Sequence, residues 1–201
     1  MNRESMKYWL STSALGACLI ATTPPPSAQP QEPAALKRVN EVTLAGLRPG
    51  RETLAAAEKR YKAKYREAKL GREEANVKEW WDACNGKALR LEVDAKGVIR
   101  SVTVTSLALR VEECSEKAAQ IAHHKFWFTG RGLKLGDPRD RVIDLYGEPS
   151  SSGPSVKGDR ELELLSYAFD WAGSDVPQLL EVSCDRATGR VVEITLAFPN
   201  L

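Results

Sequence analysis

Gly46-Leu47-Arg48-Pro49-Gly50 returns later in the chain as Gly132-Leu133-Lys134-Leu135-Gly136. The stretch "LEVDAKGVIRSVTV" from Leu91 returns as "LEVSCDRATGRVVEITL" from Leu180. Both motifs recur in the same order, while the spacing between them drifts by a few residues where loops belong. Matching order with drifting spacing is what a duplicated unit looks like. Each copy opens on a glycine-bounded turn and closes on a hairpin, which limits the folds open to the chain.

The second copy is the easier to read. Asp137 suits an N-cap, Pro138 the first helical position, and Asp140 the positive end of the helix dipole. Val142, Leu145 and Tyr146 give that helix an apolar face, and Gly147 and Pro149 end it. "SSSGPSVKGD" reads as a loop. "ELELLSYAFDW" alternates like a strand, with a slip at Leu164-Leu165 that predicts a bulge or a bend. Leu180, Val182 and Cys184 share one side of the closing hairpin with Val192, Ile194 and Leu196.

In the first copy Leu54, Ala57, Tyr61 and Tyr65 lie on one helical face, and strands follow at "VKEWWDA", "KALRLEVD" and "VIRSVTVTS". "RVEECSEKAAQIAHHK" reads as a connecting helix over residues 111–125, with Cys114, Ala118 and Ile121 on one side. The expected fold is α+β: two tandem repeats, residues 38–110 and 126–201, each a helix or helix pair followed by a three-stranded antiparallel sheet, helices on one face.

These motifs resemble a known family. The Gly-Leu-x-x-Gly turn, the helix ending Leu145-Tyr146-Gly147-Glu148-Pro149, the aromatic strand and the Asp-containing final hairpin resemble the BamE-like unit of outer-membrane-assembly lipoproteins. Two such units in tandem are similar to the β-lactamase-inhibitor-protein (BLIP-like) architecture, in which both sheets join into one curved surface. That is a family of binders and scaffolds, so the resemblance implies binding, with no catalytic residues to carry over.

The start of the chain has a different character. Arg3 and Lys7 precede "YWLSTSALGACLIA", an apolar run too short to span a bilayer and suited to a signal peptide over residues 1–21. Leu15-Gly16-Ala17-Cys18 resembles a bacterial lipobox, which makes Cys18 the expected site of lipidation; cleavage after Ala21 or Ala28 is the alternative. A proline-rich tether over residues 22–37 follows. Export suits the cysteines, which show no zinc spacing. The first hairpin turns near Lys96, placing residue 84 opposite about residue 108, so Cys84 is expected to pair with Cys114. Cys184, in phase with Leu180 and Val182, is expected to stay reduced and buried.

With 201 residues, 42% hydrophobic, 28% charged and a net charge of +2, the chain is globular and has no need of nucleic acid as a partner. His123 and His124 are adjacent and cannot easily grip one metal, so no metal and no cofactor is expected. The cations from Lys59 to Arg72 read as the solvated face of a helix. Nothing matches a common catalytic motif, and the chain reads as no enzyme. Trp80, Trp81, Tyr167, Phe169 and Trp171 cluster on the first strand of each copy, and alternation puts Trp80 and Trp81 on opposite sheet faces. These five are the candidate binding residues. The expectation is a monomeric exported envelope protein that binds another protein through a curved sheet face, touching the membrane only through a lipid anchor. The alternatives are an assembly lipoprotein with no concave site, or a small-ligand or enzymatic role in the groove between the copies.

Overall fold

The computed structural model describes residues 39–62, 64–68, 76–82, 84–108 and 127–198. The expected signal peptide, Cys18, the tether, and the connecting helix with Cys114, His123 and His124 lie outside the described residues. Chain order is α1 (Leu54–Tyr61), β1 (Arg66–Ala68), β2 (Asn76–Asp82), β3 (Lys87–Val93), β4 (Ile99–Thr105), α2 (Arg139–Tyr146), β5 (Ser151–Lys157), β6 (Arg160–Ala168), β7 (Leu179–Asp185) and β8 (Arg190–Ala197). The strands form one antiparallel sheet in the order β1-β2-β3-β4-β8-β7-β6-β5.

This overturns the expected pair of helix-plus-three-strand repeats. Four strands follow each helix, and all eight belong to one sheet joined where β4 pairs β8, from Ser101 opposite Ala197 to Thr105 opposite Glu193. Two separate small sheets would leave β4 and β8 as open edges with unpaired backbone groups. Joining them satisfies both.

Local chemistry explains the other departures. Helix α1 stops at Tyr61 because Lys62 turns left-handed (φ 53) and its N–H donates to Glu58 O at 2.9 Å. The basic run is therefore no single helix, and Arg66 begins an edge strand. "SSGPSVK" is strand β5 where a loop was expected; Pro154 is tolerated because an edge strand needs partners on one side only. Strand β6 pairs with β7 without a slip at Leu164-Leu165, and the irregularities fall instead at Glu92/Val93 and Ser183/Cys184. Pro138 caps α2, and Asp137 instead accepts the N–H of Lys134 at 3.0 Å.

Both helices pack on the same side of the sheet, with Ala57, Tyr61, Val142 and Tyr146 in one core with Trp80, Leu91, Val102, Val182 and Ile194. The two glycine loops dock alike. Gly50 N–H donates to Ile99 O (2.7 Å) and Gly136 N–H to Val191 O (2.8 Å), each glycine at positive φ. The buried carboxylate of Glu41 ties the two loop regions together. Oε1 accepts from the N–H groups of Val42, Thr43 and Gly130 at 2.8–3.1 Å; Oε2 accepts from Arg131 N–H (3.1 Å) and the Tyr146 hydroxyl (2.7 Å). Burial, and then the Glu41 charge, push the Tyr146 phenol above its ordinary range, so it stays a donor.

The hairpin aspartates carry a pH signature. Asp94 is held below the ordinary carboxylate range chiefly by the N–H of Val98, with Lys96 N–H and Arg100 adding to it. Asp185 is lowered chiefly by the N–H of Thr188, with the Thr188 hydroxyl and Arg160 adding. A depressed folded-state pKa stabilises the protein above the unfolded value near 4, and that stabilisation is lost as pH falls through the folded value. The urea midpoint is expected to hold between about pH 5 and 7 and drop below about pH 4. An Asp94→Asn, Asp185→Asn double variant should show a shallower drop, and an equally steep one would assign the acid transition to other groups.

Candidate binding face

Alternation sends every second side chain away from the helices. One row crosses the whole sheet on that side: Arg66, Glu79, Arg90, Thr103, Thr195, Glu181, Ser166 and Ser151 are successive cross-strand neighbours. At the β4–β8 seam, the hydroxyls of Thr103 and Thr195 meet at 2.9 Å.

The ion pairs on this face are sorted by depth. Glu79 has 1% side-chain exposure and is held by Arg66 and by Arg90 (2.7 Å). Glu193 pairs with Lys157, and Asp185 with Arg160 at 3.3 Å. Those two carboxylates are 7% and 8% exposed, while Arg66, Lys157 and Arg160 are 50%, 48% and 49% exposed. In these pairs the carboxylate lies at the sheet and the cation stands out over it, while Glu92 and Glu181 on the same face are half-buried. Planar guanidinium groups and an ammonium thus present donors to whatever docks there. Arg66 also lies 4.0 Å from the centre of the Trp81 ring, a cation–π contact that fixes its direction.

The five aromatic candidates do not share a face. Trp80, Tyr167 and Phe169 are buried in the core on the helix side. Trp80 packs against Tyr61 and Tyr65, and Tyr167 against Tyr146. Trp81 points to the polar face, and Trp171 stands half-exposed in the short 3-10 turn Asp170–Ala172 after β6. Large rings within reach of two helices are worth more buried, about 2 kcal/mol or more each. The expected aromatic surface is a polar surface with one ring in it. Sequence reasoning read Arg66 as part of a solvated helix face and passed over Arg90, Lys157 and Arg160.

Cys84 is disulfide-bonded, and Cys184 is free and buried, its thiol pushed up to about 11 by burial. The expected partner Cys114 lies outside the described residues. Non-reducing peptide mapping is expected to link Cys84 to Cys114, and a link to Cys184 would contradict it.

Among the described residues, no helix is long and apolar enough to cross a membrane. No family model matches the chain, and no curated protein matches it. The solved structures that resemble it include two of low identity. One is a DUF4309 family protein of Bacillus subtilis, at 10% identity and TM-score 0.45, covering 79% of this chain and 88% of that one. The other is a cysteine-rich secretory protein of Staphylococcus aureus, at 11% identity and TM-score 0.44, covering 80% of this chain and 48% of that one.

Proposed function

We propose that the chain is an exported, non-enzymatic binding protein whose polar sheet face receives an acidic surface of another protein. The observation that carries this reading is the depth sorting of charge on that face, with buried carboxylates under exposed arginine and lysine heads. A partner approaching there meets donors first, so its complement is a surface of carboxylates. Export is supported by the disulfide at Cys84 and by the short apolar run behind Arg3 and Lys7. The resemblance of the glycine turns to a family of binders and scaffolds points the same way.

The test is capture from envelope extract with the full chain and two paired variants. Arg66→Ala with Lys157→Ala removes exposed cations at both ends of the face; Lys62→Ala with Lys64→Ala removes cations beside α1. The partner is expected to be lost with the first pair and kept with the second, in variants whose circular dichroism matches the parent. Capture unaffected by the first pair, or lost only with the second, would defeat the reading.

A further inference from the structure

The seam between β4 and β8 is approximately two-fold, and its two ends differ in one respect. Thr103 faces Thr195 at the centre. Phe198 N–H donates to Arg100 O at 2.8 Å, and Ser106 N–H donates to Val192 O at 2.8 Å. Phe198 and Ser106 therefore hold corresponding positions just past β8 and β4. The docked glycine beside each corresponds too: Gly50 at one end, Gly136 at the other. At Gly50 the space is taken, since a Cβ there would stand 2.2 Å from the Phe198 ring. At Gly136 an added Cβ meets nothing within 4 Å. A cleft of about 610 Å³ opens at this second end, lined by Ser106, Gly136, Lys87, Arg160 and Arg190 among others.

We propose that this cleft is a binding site for a small multivalent anion bearing carboxylate or phosphate groups. Three cations line it and, among the described residues, no carboxylate does. Arg160 is partly balanced by Asp185, but Lys87 and Arg190 form no ion pair among the described residues. Arg190 donates through Nη1 to Gly136 O at 3.2 Å, which aims the guanidinium while leaving other N–H groups for a ligand. Two uncompensated charges beside an open cleft suit a dianion. Serine in place of the phenylalanine of the opposite end leaves it room. The site lies at the strand ends and does not depend on the sheet face being a docking surface.

Isothermal titration of the full chain with inorganic phosphate and, separately, with succinate tests this. Saturable binding of either is expected, and which one binds tells phosphate from carboxylate recognition. Lys87→Ala and Arg190→Ala should each weaken it about tenfold, the effect of one lost charge-assisted contact. Ser106→Phe should abolish it by placing a ring where the opposite end already carries one. If that variant fails to fold, the combined Lys87→Ala, Arg190→Ala variant decides, with loss of binding expected. No saturation with either anion up to about 10 mM, or binding unchanged in the combined variant, would overturn the proposal.

Discussion

Replacing Glu41 with alanine is expected to destabilise the protein by about 3–5 kcal/mol, among the largest effects of any single side chain outside the apolar core. The carboxylate accepts five hydrogen bonds, from donors in three separate parts of the chain: its own loop, the 130–131 turn and α2. Gly130 N–H keeps a second acceptor in Thr43 O, and the donors of Val42 and Thr43 are partly open to water. The buried Tyr146 hydroxyl is left with Thr129 Oγ1 at 2.7 Å as its acceptor, and the Arg131 N–H turns to water. A hydrogen bond to a charged acceptor contributes about 1.5–3 kcal/mol, and the vacated volume adds to the loss. Thermal unfolding should shift down by about 10 °C. Glu41→Gln keeps one acceptor oxygen and should cost clearly less, since its amide can donate to the Tyr146 oxygen but still faces the Arg131 N–H. A Glu41→Ala shift no larger than that of Glu41→Gln would mean the network is not what holds the loops together.

Gly50→Ala is expected to cost about 2–4 kcal/mol and Gly136→Ala about 1–2 kcal/mol, although the two glycines dock in the same way. Both sit at positive φ, +78° and +87°, so the backbone cost of a side chain is similar. Only Gly50 lies under an aromatic ring, where a new methyl group displaces Phe198 and the Arg100 side chain near it. Urea unfolding of the two variants side by side reads the difference. Equal losses would mean that Phe198 does not pack on Gly50, and the contrast with the open end of the seam would fall with it.

Much of the local structure was legible in the sequence, and the assembly was not. Alternation located β2, β3, β4, β6, β7 and β8, put Leu180, Val182 and Cys184 inward, and sent Trp80 and Trp81 to opposite faces. Glycines at the loop ends signalled turns because positive φ costs them nothing. The residues of β4 and β8 carried no mark of their joining, which only the family resemblance implied, because a half-buried strand reads the same whether its outer side meets solvent or another strand. Strand β5 was hidden by Ser, Gly and Pro, residues that propensity assigns to loops and that an edge tolerates. The five rings do not form the shared face that was expected, because rings near the helices were weighed by type. Which side of the sheet each ring took decided its role, and Glu79 and Arg66 are informative only once the register pairs them.

The single sheet is the premise of both the polar face and the cleft, since each spans β4 and β8. Backbone NOEs across the seam test it most directly. The account predicts interstrand contacts linking Val102 with Leu196, Thr103 with Thr195 and Val104 with Ile194, the pairs that lie opposite one another. Contacts confined to β1–β4 on one side and β5–β8 on the other, with none across the seam, would contradict it.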